Sequence, residues 1–134
     1  TAAARAEVIR ALAELNLQAA DAVRTYRPPE GPLVAAAPRS VLQVAIPNDT
    51  DHGFIVLYAF DSPSDAAEAA RDHARYVGSN VGRSQFPFGT RFVIRVVGAT
   101  VVFFHWSPQV STDELTPLIE QGLLRIGSGV PVQG

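Results

Sequence analysis

The stretch Thr90–Trp106, TRFVIRVVGATVVFFHW, decides the fold. It reads as two strands, Arg91–Val97 and Thr100–Trp106, joined at Gly98-Ala99. β-Branched and aromatic residues fill both runs, and a glycine in a two-residue connection signals a hairpin. Such a loop pairs Val97 with Thr100, Ile94 with Phe103 and Phe92 with His105. Successive strand residues point to opposite faces. One face then carries Phe92, Ile94, Val96, Val101, Phe103 and His105. The other carries Arg91, Val93, Arg95, Val97, Thr100, Val102, Phe104 and Trp106. Both faces are apolar, so the hairpin belongs at the centre of a sheet and each face needs cover.

A second strand pair lies within residues 41–60, Val41–Ile46 and Phe54–Phe60, joined by the turn formers of PNDTDHG. Phe54–Phe60 is apolar at every position but alternates in size, as suits a strand covered on both sides. Between the pairs, residues 62–77 read as a helix. Ser62 is its N-cap, Pro63 takes the first helical position and Asp65 completes a capping box. Its inner stripe is Ala66, Ala69, Ala70, His73, Tyr76 and Val77. Residues 112–125 form the last helix, opened by the box Ser111-Thr112-Asp113-Glu114. Pro117 inside it implies a kink, or Thr116 as the true cap. At the other end, residues 2–17 are an amphipathic helix with Val8, Ile9, Leu12 and Leu15 on one side and an Arg10–Glu14 pair. Residues 26–39, with Pro28-Pro29, Gly31-Pro32 and Pro38, read as an extended connector, and 127–134 as a loose tail.

The order α-ββ-α-ββ-α predicts one α+β domain over 1–134: a two-layer sandwich with a four-stranded antiparallel sheet and helices mainly on one face. Two helices on one side leave the Arg91, Arg95, Phe104 and Trp106 face to be covered by the N-terminal helix and connector, a second copy of the chain, or a ligand.

Composition narrows function by exclusion. The net charge of −2 removes the electrostatic case for nucleic acid or an anionic membrane surface. All 11 basic residues are Arg, and they are scattered along the chain. With no Cys there is no disulfide, thiol nucleophile or thiolate metal site. With no Met, Thr1 is expected to follow something removed: a tag, an upstream domain or a signal sequence. No window reaches the roughly 18 apolar residues of a membrane span, so a membrane anchor is expected only upstream of Thr1.

The succession VIRALAELNL, a proline-broken connector, SVLQVAIPNDTDHGFIVLYAFDSPSDAAEAARDHARYV, then PFGTRFVIRVVGATVVFFHW and a Leu-rich helix resembles small extracytoplasmic domains of bacterial lipoproteins. Their helix beginning D-x-x-x-A matches Asp61-Ser62-Pro63-Ser64-Asp65-Ala66 here. Val97 stands before the turn glycine where a basic residue often sits in that family, and Pro117 is a further departure. The resemblance implies placement outside the cytoplasm, with lipid anchorage upstream, and implies no activity and no site residue.

No catalytic, cofactor or metal site is expected. His52, His73 and His105 show no ligand spacing, and the loop around His52 lacks the alternating oxygens and closing Glu of a calcium loop. There is no G-x-S-x-G elbow and no phosphate loop. His105, ending an apolar face, reads as a hydrogen-bonded core-edge histidine rather than a general base. The chain is therefore expected to be non-enzymatic and to act by protein contact. Its candidate interaction face is Arg91, Arg95, Phe104 and Trp106, and a homodimer through that sheet face is one partner expectation. The alternative is a small-molecule site on that second face or across a dimer interface.

Overall fold

The computed structural model describes residues 1–133. Its helices are α1 (Ala2–Ala13), α2 (Pro32–Ala35), α3 (Pro63–Gly78), α4 (Asn80–Arg83) and α5 (Thr116–Leu123). The strands are β1 (Ala19–Asp21), β2 (Arg39–Val44), β3 (Phe54–Ala59), β4 (Arg91–Val97), β5 (Thr100–Trp106) and β6 (Ser128–Gly129). They form one antiparallel sheet of six strands in the order β1-β2-β3-β5-β4-β6.

The β4–β5 hairpin has the predicted register, with Val97 opposite Thr100, Ile94 opposite Phe103 and Phe92 opposite His105. Gly98 has φ +58°, while Ala99 has no positive φ, the pattern of a type II′ turn. A Cβ on Gly98 would meet no atom within 4 Å, so only backbone strain opposes a side chain there. Gly98→Ala is therefore expected to lower the unfolding free energy by about 1 kcal/mol, read from the urea midpoint. An unchanged midpoint would show that the turn relaxes to another type.

The α+β class and the antiparallel sheet stand, but three parts of the sequence reading are corrected. The sheet has six strands rather than four, because two short strands add at its edges. β1 lies in Gln18–Arg24, between the first helix and the connector, where no element was read, and β6 lies in the stretch read as tail. Three residues and two residues are too few to carry a periodic signal. β6 pairs with β4, Val130 N–H donates to the Ile94 carbonyl, and Val130 and Val132 pack on the core. Gly134, the end of that tail, lies outside the described residues.

Second, the helices cover both faces, so the arrangement has three layers and not two. One core joins α1 and α5 to Leu42, Val44, Ile55, Leu57, Val93, Val97, Val102 and Phe104. The other joins α3 to Val56, Tyr58, Ile94, Val101 and Phe103. Each set of sheet residues follows the strand alternation read from the sequence. The choice of face belongs to the crossovers: α3 passes behind the sheet between β3 and β4, and α5 passes in front between β5 and β6.

Third, element ends move. α1 stops at Ala13, where a turn through Asn16 in the left-handed region (φ 62°) lets Leu17 N–H reach the Leu12 carbonyl. Arg10 sits 3.9 Å from Glu7 and not against Glu14, which faces Arg125 instead. α3 begins as predicted, with Asp65 N–H donating to the Ser62 hydroxyl at 3.1 Å. α5 begins at Thr116, with Pro117 in its first turn, where a missing N–H costs nothing. Ser111–Leu115 is a separate turn in which Leu115 N–H donates to the Asp113 carboxylate at 2.8 Å. The proline connector contains the single turn of α2, and the Ser79–Gly89 loop contains α4.

Candidate functional site

The four residues singled out as an interaction face, Arg91, Arg95, Phe104 and Trp106, lie on one side of the β4–β5 hairpin, and α5 lies against them. Phe104 is buried in the α1–α5 core. Arg91 donates through Nε and Nη2 to the two oxygens of Glu120 at 2.9 and 2.6 Å, a bidentate pair. Trp106 Nε1–H donates to the same carboxylate at 2.8 Å. The Arg91 bonds, and then that of Trp106, outweigh burial and hold the Glu120 carboxyl below its ordinary range. Arg95 donates to the carbonyls of Leu124, Ile126 and Gly127 at 3.3, 2.9 and 3.2 Å. These are orphan acceptors at and beyond the end of α5, where a cation also opposes the helix dipole. Two arginines on an apolar face are thus explained by the helix that covers them.

At the end of the sheet where β3 begins and β5 ends, a cleft of about 270 Å³ opens. Its walls are Tyr26, Phe54, His105 and Trp106, with the turn Asp51–Gly53 on one side and Ser107, Val110, Ser111 and Thr116 on the other. The chain holds these walls in place. Tyr26 stacks on Phe54 with centroids 4.3 Å apart and rings within 5° of parallel. Its hydroxyl lies 2.5 Å from His105 Nε2. The phenol O–H is the stronger donor of the two, so Nε2 accepts and the ring proton sits on Nδ1. Burial, then the negative charge of Glu30, pushes the Tyr26 phenol up to about 12, so it keeps its proton. Burial, then the neighbouring His52, pushes the His105 imidazole down to about 4. Phe86 packs edge-on against His105 at 4.9 Å.

Across the cleft, His52 Nδ1 lies 2.6 and 2.8 Å from the two oxygens of Asp49. The carboxylate fixes the tautomer and turns Nε2 away from it. An imidazole oriented by a carboxylate is part of a nucleophile-activating set. The set stays incomplete, because no hydroxyl of the described residues hydrogen-bonds to His52. Arg24 forms an ion pair with Asp51 at 3.1 Å, and its guanidinium lies 5.2 Å from the Phe54 centroid.

Deeper in the protein the connector contributes a polar cluster that the sequence left unmarked. The Glu30 side chain is 3% exposed. It accepts from Tyr58 Oη at 2.5 Å, from Arg27 Nε at 2.8 Å and from Arg39. Burial alone would raise its pKa, but the bonds from Tyr58, Arg39 and Arg27 together carry it below the ordinary carboxyl range. Tyr58, driven by burial and by Glu30, is raised far above the usual phenol value. Beside it, Gly31 N–H donates to His73 Nδ1 at 3.1 Å, so the His73 proton is on Nε2. That Nε2 is buried with no hydrogen-bond partner, and Phe103 packs perpendicular to the ring at 4.3 Å. Burial pushes His73 down to about 4, against the pull of Glu30 and Asp72. Asp72 also accepts from Leu33 N–H, which ties α2 to α3. The cluster ties the connector to the sheet and to α3.

The sequence pointed to His105 as a core-edge, hydrogen-bonded histidine, and the structure places it so. It gave no sign that Tyr26 would be the partner, 79 residues away. No helix among the described residues is long and apolar enough to cross a membrane. No protein-family model, no curated protein and no solved structure matches the chain.

Proposed function

We propose that the protein is a non-enzymatic binding domain whose ligand is a small molecule held in the sheet-end cleft between Tyr26, His105 and Trp106. One observation carries the reading. The aromatic walls are fixed by the chain's own bonds, Tyr26 to His105 and Trp106 to Glu120, around an open volume of about 270 Å³. A preformed, mostly apolar concavity with a few polar atoms is the common form of a ligand site. The sheet face considered from the sequence is filled by α1 and α5, so the cleft at the sheet's end takes its place.

Trp106 is the single tryptophan of the chain and lines the cleft, so its emission reports occupancy directly. Small ring compounds are expected to change it saturably. Ser111→Leu, which adds two heavy atoms to a residue lining the cleft, should weaken that response at least roughly tenfold, since a single methylene in a pocket is already worth that much. A saturable response untouched by Ser111→Leu would move the site elsewhere.

Contact with a protein partner is a second reading, favoured by Val81 and Phe88, which are 71% and 75% exposed on the segment between α3 and β4. Placement outside the cytoplasm, with an anchor upstream of Thr1, belongs to the proposal too and is supported by the resemblance to lipoprotein domains. Recovery of the native protein in the cytosolic fraction of its own cells would overturn that part.

A further inference from the structure

We infer that the cleft selects an uncharged ring compound bearing a hydroxyl group, and that Thr116 Oγ1 is the atom that reads the hydroxyl. The inference rests on the cleft being the ligand site. Thr116 lines the cleft at the start of α5, and the residue is 0% exposed. Its Oγ1 is buried without any hydrogen-bond partner. A buried hydroxyl left unpaired is destabilising, and that cost is lifted by a group able to donate and accept. A ligand hydroxyl does both.

Charge on the ligand is disfavoured from each side. Burial keeps His105 neutral near pH 7. At the rim, Asp51 is paired with Arg24 and Asp49 is bonded to His52. No unpaired charge therefore faces the cleft, and a charged ligand would lose its hydration without gaining a counter-ion. The flat walls of Tyr26, Phe54 and Trp106 offer the broad contact that a ring fills. Phenols and monosaccharides share this chemistry, a hydroxylated ring with an apolar face.

The test is a titration of the full chain followed by Trp106 emission, with phenol, glucose, toluene, benzoate and benzylammonium as probes. Phenol or glucose is expected to bind roughly tenfold more tightly than toluene, the worth of one recovered hydrogen bond. Both charged rings should bind more weakly than the hydroxylated one. Whether phenol or glucose saturates first identifies the source. Thr116→Val should bring the hydroxylated ring to the level of toluene and leave toluene unchanged, and Thr116→Ser should keep the preference. Because Thr116→Val removes an unpaired hydroxyl without changing shape, its urea midpoint should equal or exceed that of the parent.

Equal binding of phenol, glucose and toluene, or a preference that survives Thr116→Val, overturns the assignment while leaving the cleft as the site. So does a clear fall in the urea midpoint of Thr116→Val, which would mean that the hydroxyl already has a partner. If no ring compound perturbs Trp106, the cleft reading falls and takes the assignment with it.

Discussion

Lowering the pH from 6.5 to 4 is expected to reduce the unfolding free energy steeply, through two buried imidazoles. In the folded chain His73 and His105 both titrate near 4, against 6.5 for a free side chain. Between those values the unfolded chain binds protons that the native chain refuses. The unfolded state therefore gains stability as the pH falls, and the native state loses by comparison. At about 1.4 kcal/mol per pH unit, His73 accounts for roughly 3 kcal/mol, and His105, whose ring borders the cleft, for somewhat less. Together that is a large part of the ~5–15 kcal/mol that holds a typical domain folded. Urea midpoints at half-unit steps of pH should fall throughout this window and level off above it. His73→Gln can still accept from Gly31 N–H but does not titrate near neutrality. Combined with His105→Gln, it should flatten the profile between 6.5 and 4.5. A slope of the same size in the double variant would place the acid sensitivity in other groups.

Removing Glu30 is expected to cost more than any other single change in the connector. Its carboxylate holds Tyr58 from the sheet, Arg39 at the start of β2 and Arg27. Glu30→Ala would leave the Tyr58 hydroxyl and the half-buried Arg39 guanidinium without their acceptor. Breaking a buried pair from one side costs about 3–5 kcal/mol; because Arg39 is 20% exposed, the lower end is expected. Glu30→Gln keeps an acceptor for Tyr58 and loses only the charge, so it should fall between Ala and the parent. The two residues also separate in pH. A carboxyl lowered below 4.5 contributes its full stability above that value and loses it as the pH falls through the folded value. The Glu30 window thus lies below that of the histidines. Glu30→Gln should flatten the profile below pH 4.5. It should slightly steepen the window above, because the negative charge that supports protonation of His73 is gone. Thermal melts of Glu30→Ala within a degree or two of the parent would show the cluster to be incidental.

How much of this could be read from the chain depends on how far apart the partners are. The β4–β5 register needs only a two-residue loop and the strand period, both local, and it was legible residue by residue. The same holds for the Ser62 cap and the alanine stripe of α3. The Ser111–Glu114 box was legible and did not become a cap, because Pro117 fits only in the first turn of the helix, which starts it at Thr116. β1 and β6 escaped notice because an edge strand of two or three residues has no side-chain pattern. Glu30 looked like a surface charge among prolines. It is buried because the connector folds back over Tyr58 and His73, 28 and 43 residues away in sequence.

The candidate site divides along the same line. Arg91, Arg95, Phe104 and Trp106 were correctly assigned to one side of the hairpin, since alternation decides that without reference to the rest of the chain. Which element covers them was not decided locally, because each crossover joins two parallel strands with one strand between them, and its right-handedness assigns a face only once the strand order is known. The cleft gathers Tyr26 from the connector, His52 from a turn, His105 from a strand end and Thr116 from a helix start. Each residue alone has an ordinary structural role. The sequence by itself determined the four longer strands, the register of the β4–β5 hairpin and its two apolar faces, since these follow from near neighbours. Only the tertiary structure decided that α1 and α5 close one face, that Glu30 is buried, and that Thr116, with its unpaired hydroxyl, lines the same cleft as Tyr26, Phe54 and Trp106, because these rest on contacts between distant segments.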